Sequence, residues 1–240
     1  MNGNKKCLEK ALSSFSNHNH QRINQHPMNL IAINGSPRTN WNTHILLEMF
    51  VEGARETGAE AEIINLYDLT YKGCTSCFAC KRKGVTLDKC AMQDELAPVL
   101  QKICDCDALI LGSPIYFGDV TGHTRSFMER LLFPYASYEG KPSTFGKKIK
   151  TVFVYTMNVP AILLPFIGYT KLFRKNKKML KKKFGHSQSF VVTSTYQFDD
   201  YSKYAITIID GAKRLKRRQT VFEEECKKAY ELGKKLCTSK

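Results

Sequence analysis

The chain has 240 residues, 42% hydrophobic and 25% charged, with a formal net charge of +15 at pH 7. That length suits one well-buried domain and is too short for two large ones, and the composition excludes a largely disordered or fibrous protein. No apolar run reaches the roughly 18 residues of a membrane-spanning helix, and residues 1–26, polar with a lysine pair but no apolar segment behind it, are expected to be a disordered tail rather than a secretory signal.

From residue 27 onward, strand and helix patterns alternate. "MNLIAIN" (28–34) is a short apolar run stopped by "GSPRT", so it predicts a buried strand and a turn. "NTHILLEMFVEGARETG" then places Ile45, Leu46, Met49, Phe50 and Ala54 on one helical face and ends at Gly58, a C-cap residue. "AEIINL" predicts the second strand, and a long cysteine-bearing connection follows it. "DELAPVLQKICDC" predicts a helix with acidic residues at its start, and "DALILGSP" the third strand. "GDVTGHTRSFMERLLF" is read as a helix from its apolar spacing. "IKTVFVYT" and "SFVVTST" predict the fourth and fifth strands.

Between those last two strands lies "TKLFRKNKKMLKKKF". Residues 141–198 contain twelve Lys or Arg and no Asp or Glu. Leu172, Phe173, Met179, Leu180 and Phe184 recur at helical spacing, which leaves the lysines on the outer face. Aromatic residues are not interleaved with them as base-stacking platforms. The pattern therefore argues against a nucleic-acid partner and for general attraction of phosphorylated small molecules. "VFEEECKKAYELGKKL" closes the series as an amphipathic helix, acidic first and basic last.

Such alternation predicts an α/β fold of right-handed crossovers: a doubly wound five-stranded parallel sheet in the flavodoxin-like order 2-1-3-4-5, with helices on both faces. Ligands of such sheets sit where the winding reverses, between the first and third strands. Two motifs fall at those strand ends. "NGSPRTNWNT" (34–43) offers Gly35, Ser36, Arg38, Asn40, Asn42 and Thr43, the backbone donors, neutral donors and forked cation that a phosphate monoester needs at a helix N-terminus. It lacks the lysine of a nucleoside-triphosphate loop and the glycine spacing of a dinucleotide loop. "SPIYFGDVTG" (113–122) brings a rigid proline, two aromatics and a glycine, suited to laying a flat ring against backbone. One loop for a phosphate and one for a planar ring make a mononucleotide site.

With "INGSPRTNWNT", "GCTSCFAC…C…QDEL" and "ILGSPIYFGDVTGHTRSFMERL" in this order over residues 33–131, the chain resembles the NADPH-dependent FMN reductase family, and within it the iron–sulfur flavoprotein branch. The resemblance implies that Ser36, Arg38, Asn40, Asn42 and Thr43 hold the FMN phosphate. It also implies that Pro114, Ile115, Tyr116, Phe117 and Gly118 line the isoalloxazine. Trp41 stands where the family commonly has glycine, a place from which it could cover the ribityl chain. Met157 and Asn158 could touch the ring edge, and the apolar run 161–169 could form a dimer contact, a lid or a shallow membrane contact.

In flavin enzymes the cofactor supplies the hard chemistry, so no catalytic residue is assigned; His44, His123 and His186 lack an evident Ser, Cys or Asp partner and read as surface or packing residues. The resemblance implies transfer of electrons from a nicotinamide donor, NADH or NADPH, through FMN to a quinone, a flavin, a metal ion or a protein carrier. A homodimer or higher homo-oligomer is implied with it. Two other readings stay open: an electron carrier holding FMN and a [4Fe–4S] cluster, and a flavin-binding module without catalysis.

Nine cysteines without a signal segment predict a reducing, cytoplasmic setting, where clustered thiols bind metal or do redox work. Cys7, Cys104, Cys106, Cys226 and Cys237 show no ligand spacing and read as packing or incidental residues. Cys74, Cys77 and Cys80 have the short spacers that curl a chain around a cluster, with Cys90 as a fourth ligand after nine residues. Zinc sites more often use two separated pairs. A cluster-free loop beside the flavin is the alternative.

Overall fold

Residues 27–83, 89–139 and 145–238 are described by the computed structural model; the tail at 1–26 lies outside them. Strand β1 (Asn29–Asn34) lies in one sheet with β2 (Glu60–Asn65), β3 (Ala108–Tyr116), β5 (Ile149–Thr156) and β6 (Gly185–Val192), with β3 at its centre. The order is β2-β1-β3-β5-β6, all parallel, with the two-residue β4 (Asp119–Val120) folded back antiparallel on β3. This is the expected winding, the short β4 being the one added strand among the described residues.

Period-two alternation divides the core into two layers. Ile31, Ile33, Leu109, Leu111, Phe153 and Tyr155 face α2 (Leu96–Asp105), α3 (Gly122–Leu132) and α4 (Tyr169–Phe184). Their neighbours Leu30, Ala32, Ala108, Ile110, Val152 and Val154 face α1 (Asn42–Glu56) and α6 (Val221–Thr238). Helices α1 and α6 cross closely because each presents a glycine there: a Cβ at Gly53 would lie 2.0 Å from Tyr230 O, and one at Gly233 2.1 Å from Phe50 O. As expected, Cys106 and Cys226 are buried packing residues. Among the described residues no helix is long and apolar enough to cross a membrane.

Two boundaries and one added helix differ from the sequence expectation. Helix α3 starts at Gly122, because Phe117 and Gly118, both at positive φ (48° and 85°), reverse the chain and return it as β4; Thr121 then caps the helix by accepting the Thr124 N–H. The last strand begins at Gly185, directly after α4, and ends at Val192. Helix α5 (Gly211–Gln219) was not expected. Its sequence has no apolar stripe; Asp210 caps it by accepting the Lys213 N–H at 3.0 Å, and Arg218 is its buried residue.

Candidate functional site

All parallel strands deliver their following loops to one edge of the sheet, so the loops after β1 and β3 meet at the reversal point. Gly35 joins them: its N–H donates to Gly112 O at 2.8 Å, and its carbonyl accepts the Thr121 hydroxyl at 2.7 Å. A Cβ at Gly35 would stand 1.8 Å from Thr124 Oγ1, so this approach requires glycine. Ser36 is buried, and its hydroxyl accepts the Arg38 N–H at 3.2 Å, shaping the turn that leads to α1. No side chain caps α1, whose first-turn N–H groups are therefore presented to this loop.

The remaining residues of the first motif are braced from behind. Asn42 Nδ2 donates to Tyr196 O at 2.8 Å while its Oδ1 accepts Arg218 Nη1, and the Thr43 hydroxyl is paired with that of Thr156 at 2.8 Å. Trp41 turns its indole onto the segment after β6, donating to Tyr196 O at 3.1 Å and stacking on the Tyr196 ring. Arg38 donates to Gln197 O at 2.6 Å and lies over the Trp41 ring. Thus Arg38 and Asn40 stay on the exposed side of the loop, and Asn42 and Thr43 do not.

On the second loop Pro114 and Ile115 are half-buried and Tyr116, Phe117 and Gly118 are exposed. Arg125 holds the base of this hairpin through both carboxylate oxygens of Asp119, at 2.5 and 2.7 Å. Burial pushes the Tyr116 hydroxyl up, opposed by the charge of Arg38 and reinforced by Tyr67, so the two loops and the end of β2 share one mouth. At the foot of that mouth Tyr67 stacks on His123 at 4.0 Å between ring centroids, and the Tyr71 hydroxyl donates to His123 O. At the carboxyl end of β5, Met157 is buried and Asn158 has its Oδ1 buried without a partner.

The opposite end of α3 carries the cysteines. Cys74, Cys77, Cys80 and Cys90 line one pocket with Thr75, Met92, Glu129, Arg130 and Phe133. Two left-handed residues, Ser76 and Phe78 (both φ 54°), bend the chain around it. Burial pushes the Cys80 thiol up; Lys81 acts against this and Cys90 with it. Among the described residues no three His, Cys, Asp or Glu side chains converge on a single metal ion. Four thiols around a common space, none in a disulfide, suit a multi-iron cluster better than one zinc ion. A buried N–H donor, Arg130 Nε, is left without a partner on the same pocket.

Sequence reasoning pointed to both loops at the reversal point and to the four cysteines, but not to Tyr67, His123, Arg130 or the 196–218 segment that backs the first loop. One signal existed for Arg130. It sits three residues after Phe127, on the stripe of α3 that faces the core, where a charge needs a partner.

A model of the family described as NADPH-dependent FMN reductase matches residues 28–150. An iron–sulfur flavoprotein of Archaeoglobus fulgidus is 42% identical over 103 residues, 43% of this chain and 48% of that protein. Another, from Methanocaldococcus jannaschii, is 38% identical over 103 residues, 43% of this chain and 51% of that protein. The chain thus spans about half the length of the curated relatives it matches. Among solved structures, an NAD(P)H:quinone oxidoreductase from Methanothermobacter marburgensis superposes with a TM-score of 0.66 at 17% identity, covering 88% of this chain and 100% of that one. An azoreductase from Bacillus anthracis does so with a TM-score of 0.57 at 13% identity, covering 87% and 99%. At those identities the likeness is one of fold. The family match, which takes in both loops at the reversal point and the cysteine segment between them, makes this chain a member of the NADPH-dependent FMN reductase family.

Proposed function

We propose that the protein is an FMN-dependent oxidoreductase that takes electrons from NADH or NADPH and passes them to a quinone, a flavin or another acceptor. The observation that carries this reading is the clamp at Gly35, which brings a phosphate-type loop and a ring-type loop together at the sheet's reversal point. Ser36, Arg38, Asn40 and the N–H groups of α1 hold the phosphate, and Asn42 and Thr43 brace them from behind. Pro114, Ile115, Tyr116, Phe117 and Gly118 line the ring, and the buried Oδ1 of Asn158 is available to a donor on its edge. Bound FMN supplies hydride acceptance and electron release in single or paired steps.

The shared pocket favours a second element in this reading: a [4Fe–4S] cluster on Cys74, Cys77, Cys80 and Cys90, acting as the electron partner of the flavin. A homodimer covers the exposed Phe117, Ile162 and Phe166 beside the flavin mouth, and the reducing cytoplasm is the setting in which the eight free thiols among the described residues persist.

Anaerobic purification tests both cofactors. The flavin reading expects a two-banded flavin spectrum bleached by NAD(P)H, and quenching of emission from Trp41, the sole tryptophan, when FMN is added to apoprotein. A chain that binds no FMN, or a flavin that neither nucleotide reduces, overturns it. For the cluster, about four iron and four sulfide per chain are expected, with a broad absorbance lost in Cys90→Ser; iron-free protein overturns that part alone.

A further inference from the structure

Arg130 is 1% exposed, although it carries a permanent charge. Its guanidinium has five N–H donors. Nη1 donates to Asp94 Oδ2 at 2.7 Å and Lys72 O at 3.0 Å, and Nη2 to Asp94 Oδ1 at 3.1 Å and Met92 O at 3.3 Å. These bonds engage the four terminal hydrogens and fix the plane of the group. The fifth donor, Nε–H, is buried and finds no partner, and Arg130 lines the pocket of the four cysteines.

An unsatisfied donor on a buried charge is costly, and native proteins rarely retain one without a use. The cation is permanent at any working pH, and the acceptors on the pocket beside it are the cysteine sulfurs, the Glu129 carboxylate, which already takes the Cys74 N–H at 3.2 Å, and the Thr75 hydroxyl, which is turned toward Met92.

We propose that Arg130 Nε donates an N–H···S hydrogen bond to the Cys90 thiolate and thereby raises the reduction potential of the cluster held there. This rests on the cluster reading above. One-electron reduction adds one negative charge to the cluster, and a fixed donor with a full positive charge stabilises that state more than the oxidised one. Asp94 acts through Arg130 as a positioning residue, since its two oxygens hold the plane that aims Nε. Lys81 is aimed elsewhere: two of its three N–H donors go to Pro134 O and Ala136 O, at 2.6 Å each.

The test compares cluster-loaded wild type, Arg130→Lys and Arg130→Gln by redox titration followed by electron paramagnetic resonance of the reduced cluster, with the flavin midpoint as internal control. Arg130→Gln is expected to shift the cluster's reduction equilibrium about tenfold toward the oxidised form, ~59 mV for one electron, and Arg130→Lys by less, while the flavin midpoint stays put. Variants that hold a full cluster at the wild-type potential overturn the proposal. Iron-free wild type instead overturns the cluster reading beneath it. Should the variants not fold, wild type grown with 15N-arginine answers alone: pulsed resonance of the reduced cluster is expected to show a coupled arginine nitrogen, and its absence overturns the hydrogen bond.

Discussion

Phe117 occupies a left-handed backbone conformation, φ 48°, with its ring fully in solvent. An L-residue other than glycine or asparagine is strained there, and no contact of the ring within the chain offsets that. Strain of this kind collects at sites where a side chain must stand in a particular place. Phe117→Gly is expected to stabilise the fold by roughly 0.5–1 kcal/mol, the relief of strain exceeding the entropy that glycine adds to the unfolded chain. It should at the same time weaken FMN affinity or slow flavin reduction. Urea denaturation and flavin titration of the same variant measure the two effects. At this scale legibility was uneven. Gly35, Ser36 and the four cysteines could be singled out because their chemistry is local, whereas the turn that strains Phe117 follows from the pairing of Tyr116 with Asp119 across a hairpin.

Among elements, α2 and α3 are joined through Asp94, which lies just before α2, accepts the Leu96 N–H at 3.2 Å and grips Arg130 of α3. The hydrogen bond from Arg130 holds the Asp94 carboxyl below the usual carboxylate range, burial opposing it. A depressed pKa contributes stability that is fully present above the unfolded value, about 4, and is lost as pH falls through the folded value. Asp94→Asn leaves a buried guanidinium without its counter-charge and is expected to cost about 3 kcal/mol at pH 7. The gap between wild type and variant should narrow as pH falls below about 4, as followed by denaturant unfolding at several pH values. The helices themselves were readable from apolar spacing. Helix α5 was not, because its nine residues are mostly cationic and its place depends on Asp210 and on the reach of Arg218 to Asn42.

Over the whole molecule, large apolar side chains stand in solvent on the loops that follow β3 and β5: Phe117, Ile162 at 76% and Phe166 at 83% exposure. If a second copy covers them, Ile162→Ser with Phe166→Ser should convert a dimer to a monomer in sedimentation, with little loss of monomer stability, since neither residue is buried in the chain. A wild-type monomer at micromolar concentration overturns that assembly. From residue order alone come the alternating strands and helices, the reversal point between the first and third strands, and the two loops that end there, because periodicity and turn chemistry are short-range. The fold adds what depends on distant pairs: Cys90 joining Cys74, Cys77 and Cys80 around one space, Tyr196 in the segment after β6 bracing Asn42 across 154 residues, and Arg130 meeting Asp94 across 36. Such contacts have no local pattern to announce them. The brace on Asn42 exists because five parallel strands bring their following loops to one edge of the sheet, and the other two because α2 and α3 pack on the same face of it.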